Sequence, residues 1–264
     1  MKDDMQQKRQ TWPFRLGCTS YVYPADLLPN AEKCAPLFDD IEVVLFESVD
    51  SSNMPSAEVI HGLAKLSREH GNTYTIHFPI DKKAASPDSV ERSRYCEQMA
   101  KILTLVEPLD PYAYILHLEG IGPDADARAR SRWLMDAAES CAFLSAHMGR
   151  DAHKVAVENL ACPYEWHLPL TKEYGFSLCL DIGHLWRYGA DWSAACEALL
   201  PQTRVIHLHG WDGTNDHESL KKMDKGILST LCKHYLKEYD HVLTLELFNE
   251  SDTFESLRLM EELW

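Results

Sequence analysis

The amino-acid sequence predicts a single (β/α)8 barrel. Short apolar runs alternate with longer amphipathic segments along the chain, and strict alternation of strands and helices implies a parallel sheet. Eight such units fit within the 264 residues, which is a usual length for this barrel. An open doubly wound sheet is the alternative, but no G-x-G-x-x-G motif follows the first strand. We therefore expect one barrel domain over residues 14–264, preceded by a polar N-terminal tail over residues 1–13.

Each predicted strand is a short apolar run between glycine, proline or polar residues. The run FSLCLD over residues 176–181 follows Gly175 and is typical of a strand that is buried on both faces. In chain order, strands are predicted over residues 14–19, 42–47, 74–77, 112–117, 154–158, 176–181, 204–209 and 242–246.

The predicted helices are marked by residues that favour helix ends. Ser56 precedes a segment with apolar residues at helical spacing, and Gly71 follows it. Asp88 and Glu91 have the spacing of a capping box, and Asp191 is a second acidic N-cap. In chain order, helices are predicted over residues 31–38, 57–70, 88–107, 126–147, 163–174, 191–200, 219–238 and 251–264.

Composition indicates a cytoplasmic protein that acts on a small molecule. The chain has 41 acidic and 26 basic residues and a net charge of -15, and it lacks the basic stripe that binding to duplex DNA normally requires. The eight cysteines are widely spaced without a C-x-x-C pair, which favours reduced, mostly buried thiols. No stretch is long and apolar enough for a membrane span. We expect neither a nucleic-acid nor a membrane partner.

Six consecutive predicted strands end in imidazole or carboxylate side chains. A single residue of this kind at a strand end is more often a hydrogen-bonded polar residue than a ligand. Because the active site of such a barrel lies at the C-terminal ends of its strands, six of them at one rim favour a metal site. Three carboxylates there would repel one another unless cations lie between them. The residues are His77, His117, Glu158, Asp181, His207 with His209, and Glu246.

Further candidates follow the sixth and seventh strands. His184 lies three residues after Asp181 and can reach the same point. His207 and His209 share one face of a strand, and we interpret His207 as a ligand and His209 as a substrate contact or a support for a ligand. The loop over residues 210–217 offers Asn215, Asp216 and His217. A mixture of histidines and carboxylates suits Zn, Mn, Fe or Co better than Mg or Ca.

The motifs IHFP, ILHLEG, VAVENL, LDIGH, HLH, DH and LELF occur in this order along the chain. In this combination the chain resembles the xylose-isomerase-like, or AP endonuclease family 2, barrel superfamily, and within it the endonuclease IV branch. The resemblance implies a metal-dependent hydrolase with one to three divalent ions, in which Glu158 and Glu246 are also catalytic. The branch has an acid where this chain has Asn215, and Asp216 is displaced by one position, so one or two ions suit the chain as well as three. The implied metal ligands are His77, His117, Glu158, Asp181, His184, His207, His217 and Glu246.

A narrower resemblance comes from GCTSYVYPADLLPN, VVLFE and PLDPYAYILHLEG. These segments are similar to cobamide-remodelling phosphodiesterases, which cleave the nucleotide loop of vitamin B12-type corrinoids at its phosphoester. The resemblance implies a cobamide as substrate. Aromatic residues of the rim loops can pack on a corrin ring, although packing within the rim is an equally good interpretation of them. The candidate substrate contacts are Tyr21, Trp186, His209, Trp211 and Asp216.

Three other functions remain open. A sugar isomerase or epimerase of the same superfamily would hold one metal with Glu158, Asp181, His207 and Glu246, and its two glutamates would exchange protons beside a carbonyl. That reaction has no evident need for further histidines such as His77. An AP endonuclease is disfavoured by the acidic charge. A barrel that binds a corrinoid or a sugar without turnover would not need so many converging ligands.

Overall fold

Eight parallel strands close into a barrel in the computed structural model, which describes residues 12–47 and 52–264. Each strand pairs with the next one along the chain, and β8 pairs with β1. The predicted fold class is therefore confirmed. Most of the predicted tail, residues 1–11, lies outside the described residues. The strands are β1 (Arg15–Thr19), β2 (Asp40–Val44), β3 (Thr73–His77), β4 (Ala113–Leu116), β5 (Val155–Glu158), β6 (Ser177–Asp181), β7 (Thr203–Leu208) and β8 (Val242–Leu245).

Nine α-helices among the described residues connect the strands and cover the outside of the barrel. Between β6 and β7 the chain forms two helices, and the other connections carry one each. The helices are α1 (Leu27–Cys34), α2 (Ala57–His70), α3 (Ser89–Val106), α4 (Ala127–Met148), α5 (Leu168–Tyr174), α6 (Ile182–Arg187), α7 (Trp192–Leu199), α8 (Lys225–Thr230) and α9 (Glu250–Leu263).

Successive side chains of each strand alternate between two hydrophobic layers, one between the sheet and the helices and one inside the barrel. This alternation directs the site residues inward. In β5, Val155 and Val157 pack in the layer between sheet and helices, whereas Ala156 packs inside the barrel. Because successive side chains of a strand point to opposite faces, Glu158 shares the inward face of Ala156. On β6, Asp181 likewise shares the inward face of Cys179. The apolar residues inside the barrel are Ala113, Ile115, Ala156, Cys179, Val205 and Val242.

Several helix ends agree with the sequence signals. The Ser56 side chain accepts a hydrogen bond from the backbone N–H of Val59, and Gly71 ends α2 in the left-handed conformation with φ of 77°. Asp88 caps α3 by accepting from the N–H of Val90. Its predicted capping-box partner Glu91 instead accepts a hydrogen bond from the Ser86 hydroxyl, which itself accepts from the N–H of Asp88.

Three predicted helices differ from the structure, and the one over residues 163–174 consists of a 3-10 turn, Tyr164–Trp166, followed by α5. The helix predicted over residues 31–38 is α1, which starts at Leu27 because Pro29 is tolerated in the first turn, where a backbone N–H needs no partner within the helix. The segment predicted as one helix over residues 219–238 contains a short 3-10 turn, Leu220–Lys222, and then α8. Asp224 causes this division because its side chain accepts from the N–H groups of Gly226 and Ile227 and so caps a new helix.

The chain around His184 forms a helix, α6, that is not among the predicted helices. Asp181 ends β6 and at the same time caps α6, since its Oδ1 accepts a hydrogen bond of 2.6 Å from the backbone N–H of His184. His184 therefore lies in the first turn of a helix, which fixes its direction relative to Asp181. The last helix begins at Glu250 rather than at Ser251, because Asn249 is its cap.

The buried positions of the cysteines agree with the sequence prediction. All eight cysteines lie within the described residues, where they are buried and form no disulfide. Over residues 12–47 and 52–264, none of the helices has the length and apolar character needed to cross a bilayer.

Candidate metal centre

The residues predicted as metal ligands meet at the C-terminal end of the barrel. Three of them are the last residues of their strands, namely His77, Glu158 and Asp181. The others are carried by β7, by α6 or by the segments that directly follow β4 and β8, apart from one in the loop after β7. Contacts of 3.9 Å or less link the side chains of His77, His117, Glu158, Asp181, His184, His207, His217 and Glu246.

Of the groups at this rim whose ligand atoms lie within 4.8 Å of one another, three consist only of predicted ligands and His209. We call them the mouth set, the inner set and the histidine set. The mouth set is His77, His117 and Glu158. The inner set is Glu158, Asp181, His207 and Glu246. The histidine set is His184, His209 and His217.

The mouth set is built around one carboxylate oxygen. Oε2 of Glu158 lies 2.9 Å from Nε2 of His117 and 3.5 Å from Nε2 of His77. The other nitrogen of His77, Nδ1, lies 2.8 Å from the carbonyl oxygen of Phe78, so it must carry the proton and donate it. Nε2 of the neutral imidazole then keeps a free lone pair that faces Glu158. This is the tautomer that a metal ligand needs.

The inner set fits a cation because several of its buried polar atoms make no hydrogen bond. Nδ1 of His207 lies 3.2 Å from Oε2 of Glu246, 3.5 Å from Oε2 of Glu158 and 3.9 Å from Oδ2 of Asp181. Four atoms of this set are buried without a hydrogen-bond partner among the described residues: Glu158 Oε1, Asp181 Oδ2, His207 Nδ1 and Glu246 Oε2. Buried charged groups are costly unless they are paired or coordinate metal ions, so the inner set has the chemistry of a metal site.

The histidine set depends on the tight packing of His209. This side chain is fully buried, and its Nε2 lies 3.3 Å from Oδ1 of Asp181. A β-carbon at Gly183 would overlap its imidazole ring, so the glycine of the LDIGH motif makes room for His209. His217, with a φ of 55°, donates its backbone N–H to Nδ1 of His209 over 3.0 Å. Its own Nδ1 lies 3.1 Å from the carbonyl oxygen of Glu246.

Without metal, protonated imidazoles balance the carboxylates. Burial lowers the pKa of His117, but the carboxylates of Glu158 and Glu119 outweigh burial and raise it to about 10. Burial likewise lowers the pKa of His184, and Asp181 with Glu158 raises it to about 10. At neutral pH these two imidazoles therefore carry protons at positions where a cation would bind.

The carboxylates respond in the opposite direction. Burial raises the pKa of Glu158, but His117 and His207 more than offset it and hold the pKa well below its usual range. The pKa of Glu246 is also lowered, because the attraction of His207 and His217 exceeds the effect of burial. Both glutamates are thus ionised at neutral pH and are ready to bind cations.

The loop after β7 does not bring every candidate into the site. Asn215 is exposed, and its side chain bonds to Oδ2 of Asp212 over 3.2 Å, so it belongs to none of the three ligand sets. Asp216 borders the cavity, but its carboxylate pairs with the guanidinium of Arg187, and Nε2 of His217 is 3.9 Å away from it.

The predicted aromatic substrate contacts do not line the cavity above the ligands. Trp186 is buried and packs edge-on against Trp192 with ring centroids 6.5 Å apart, which withdraws it from the mouth. The hydroxyl of Tyr21 accepts a hydrogen bond of 2.7 Å from Asn53 and borders a separate pocket. Trp211 is partly exposed and is likewise absent from the lining of the mouth cavity.

Other residues border this cavity that the sequence did not single out. The cavity has a volume of about 570 Å³ and opens above the mouth set. Large apolar side chains form part of its rim: Ile80, Tyr188 and Phe248 are 43%, 46% and 40% exposed. Arg187 contributes the guanidinium among the lining residues. Rim residues of this kind carry no periodic signal, because they come from loops after different strands.

Glu42 is a further acid that was not predicted. The second strand was expected over residues 42–47, whereas β2 spans Asp40–Val44, and this shift concealed that Glu42 lies inside the barrel. Its Oε2 is 2.9 Å from Nε2 of His207. With β2 placed correctly, Glu42 shares the inward face of Asp40, two residues earlier, and this alternation is the signal that identifies Glu42.

Comparison with known proteins gives the same architecture. Residues 32–263 match a family model described as xylose isomerase-like TIM barrel. No curated protein sequence matches the chain. A D-tagatose 3-epimerase-like protein has a TM-score of 0.77 at 20% identity, covering 95% of this chain and 97% of that chain. Endonuclease IV from Thermus thermophilus has a TM-score of 0.67 at 17% identity, with coverages of 94% and 98%.

A third solved structure contains a metal. The IOLI protein with a bound zinc atom has a TM-score of 0.70 at 13% identity, and the match covers 95% of this chain and 98% of that chain. At these levels of identity the solved structures establish the fold alone. Function has to be argued from the side chains at the mouth of the barrel.

Proposed function

The chain belongs to the xylose isomerase-like TIM barrel family, and we propose that it is a metal-dependent phosphodiesterase. The observation that supports the proposal most directly is the position of Glu158, which belongs to both the mouth set and the inner set. Two adjacent cation sites that share a carboxylate can stabilise both the attacking and the leaving oxygen of a phosphodiester. One site would be enough for an isomerase, and the mouth set would then have no role.

The residues of the centre have separate roles in this proposal. Divalent cations held by the mouth set and the inner set would supply Lewis acidity toward the phosphoryl oxygens and acidify a water molecule. Glu158 joins the two sets, since its Oε2 faces His77 and His117 of the mouth set and lies 3.5 Å from Nδ1 of His207 in the inner set. Glu246, with its lowered pKa, is ionised and adds a negative charge that would attract a cation to the inner set.

The reaction adds water to phosphorus and breaks one P–O ester bond, which yields a phosphomonoester and an alcohol. Arg187 lies at the edge of the cavity, where its guanidinium pairs with Asp216. When the guanidinium leaves Asp216 and pairs with the substrate instead, it provides positive charge for an anionic diester. Entry of a bulky polyanion such as duplex DNA is disfavoured by the net charge of -15.

We infer that the substrate is a cobamide, cleaved in its nucleotide loop. The segments that resemble cobamide-remodelling phosphodiesterases support this substrate, and so does the apolar rim of Ile80, Tyr188 and Phe248, which suits a large ring system. Tyr188 and Phe248 replace Trp186 and Trp211 as the proposed packing residues, because they line the cavity.

Incubation with cobalamin tests both the reaction and the substrate. Metal-free protein is loaded separately with Zn, Mn, Fe or Co, and the corrinoid products are separated by chromatography and identified by mass. We expect the wild-type protein to release the lower end of the nucleotide loop, as a nucleotide or a nucleoside according to which P–O bond breaks, and His77→Ala to release neither. An intact cobalamin with all four metals contradicts the cobamide substrate, and intact simple phosphodiesters in the same assay contradict the phosphodiesterase.

A sugar epimerase is the second candidate. The inner set alone contains two glutamates, one histidine and one aspartate, which is enough to hold one ion and to place Glu158 and Glu246 as proton-exchanging groups. A D-tagatose 3-epimerase-like protein is among the solved structures with this fold. This candidate predicts deuterium incorporation into a ketohexose in D2O, detected by NMR, and only a modest effect of His77→Ala. The phosphodiesterase predicts no exchange and complete dependence on His77.

A further inference from the structure

Glu42 is a buried acid whose position calls for an explanation. It lies on the inward face of β2, and both it and His207 are 0% exposed. Its Oε2 is 2.9 Å from Nε2 of His207, and its Oε1 has no hydrogen-bond partner among the described residues. A buried carboxylate is costly to keep in a barrel interior, so a role is expected for it.

The two nitrogens of His207 face different groups. Nε2 faces Glu42, whereas Nδ1 faces the carboxylates of the inner set at 3.2–3.9 Å. A carboxylate can only accept, so the neutral imidazole must carry its proton on Nε2. The lone pair is then on Nδ1, in the direction of Glu158, Asp181 and Glu246.

We propose that Glu42 is a positioning residue of the metal centre, which fixes the tautomer and the ring orientation of His207. A carboxylate that accepts the second N–H of a ligating histidine also makes the other nitrogen a stronger ligand. The inference rests on the proposed metal centre and adds a residue from a strand that supplies none of the ligands in the three sets. Glu42 acts through His207 and does not need to touch substrate.

A competing role would be direct metal ligation. Glu42, His77 and Glu246 also bring one ligand atom each within 4.8 Å of one another. The two roles have different consequences on substitution. Substitution of a positioning residue lowers the affinity for one ion, but an excess of metal still fills the site. Substitution of a residue that is itself a ligand removes the site, so one ion is missing even at saturation.

Glu42→Gln is the informative variant, because the amide keeps the size and can still accept a hydrogen bond but lacks the charge. Glu42→Leu removes the acceptor as well. Asp40→Asn is the matched control: Asp40 is a buried acid two residues earlier on the same face of β2, its Oδ2 accepts from the hydroxyl of Thr73 over 2.7 Å, and it belongs to none of the ligand sets.

The measurement is Co(II) binding to metal-free protein in competition with a chelator, together with the visible absorption spectrum of the bound ion. We expect one ion to bind about 10- to 100-fold more weakly in Glu42→Gln, with a changed spectrum and an unchanged stoichiometry at saturation. Asp40→Asn should match wild type. If Glu42→Leu does not fold, as judged by circular dichroism, Glu42→Gln decides.

Two outcomes overturn the inference while the metal centre stands. Unchanged affinity and spectrum in Glu42→Gln would show that the Glu42–His207 contact only supports the barrel, and an ion missing at saturation would make Glu42 a ligand. If wild-type protein binds no Co(II), the metal centre and the proposed function fail together with the inference.

Discussion

Nε2 of His117 lies 2.9 Å from Oε2 of Glu158, although His117 directly follows β4, Glu158 ends β5 and the two residues are 41 positions apart. This contact ties the mouth set to the inner set, because Oε2 of Glu158 is also 3.5 Å from Nδ1 of His207. His117 itself belongs to the mouth set alone, so a change at His117 should affect one cation site and leave the other in place.

His117→Ala should lower the metal content by one ion and abolish phosphodiester hydrolysis, because the mouth set loses an imidazole while the inner set keeps all its ligands. Metal content per chain is measured by inductively coupled plasma mass spectrometry after removal of loosely bound metal. His61→Ala, an exposed histidine on α2, is the control and should retain the wild-type content. Equal metal content in both variants would exclude His117 as a ligand.

Metal binding should release protons at neutral pH. The pKa values of His117 and His184 are about 10 in the metal-free protein, so both imidazoles are protonated at pH 7 and must lose a proton before they can bind a metal. Affinity should therefore rise with pH up to about pH 10. Titration calorimetry in Pipes and in Tris, which differ in ionisation enthalpy, measures the number of protons released.

The His184→Ala variant provides the control for this number. It should release one proton fewer than wild type, because one of the imidazoles with a raised pKa is gone. Identical binding enthalpies in Pipes and Tris would mean that no proton leaves. Folding stability of the metal-free protein has the opposite pH dependence to metal affinity. The raised pKa values of His117 and His184 stabilise the fold fully below about pH 6.5, and this contribution is lost as pH rises through about 10.

Gly183→Ala should destabilise the protein and weaken metal binding by the histidine set. A β-carbon at this position would overlap the ring of His209, which is fully buried and cannot move aside freely. Overpacking of this kind costs about 1–3 kcal/mol in the free energy of unfolding. Urea denaturation of the metal-free protein measures the effect.

Gly122→Ala is the matched control for this substitution, since no heavy atom lies within 4 Å of a β-carbon built there. It should change the free energy of unfolding little. A Gly183→Ala protein as stable as the Gly122→Ala protein, with wild-type metal affinity, would contradict the packing role assigned to Gly183.

His167 should make the protein sensitive to acid. It is buried, with its Nε2 3.7 Å from Sγ of Cys162 and its ring edge-on to Trp133, and burial lowers its pKa to about 4. The unfolded chain takes up this proton near pH 6.5 and the folded chain only near pH 4. Stability is therefore lost as pH falls between these values, by up to about 3 kcal/mol.

His167→Gln should remove this part of the pH dependence. Urea unfolding of the metal-free protein at pH 7 and pH 5 measures it, and the exposed His147→Gln serves as control. The comparison is made without metal because acid also protonates the candidate ligands. A His167→Gln protein that loses as much stability between the two pH values as wild type would refute the assignment.

The sequence predicted the barrel because its apolar runs have the length of strands and alternate regularly with segments of helical length. Helix boundaries were less predictable. Ser56 and Gly71 mark the ends of α2 correctly, since capping is a local property. The helix predicted over residues 219–238 was wrong because Asp224 is a further capping residue within that segment, and it divides the segment.

The sequence by itself determined the fold and identified side chains that end at the same rim of the barrel, because strand parity and strand ends are local features. Whether they bind metal stays a prediction. Only the tertiary structure decided how they divide into ligand sets, that Glu158 belongs to two of them, and that Glu42 contacts His207 from 165 positions away. Closing the sheet into a barrel brings β2 and β7 to face each other across its interior, and no local pattern in the chain encodes that distance.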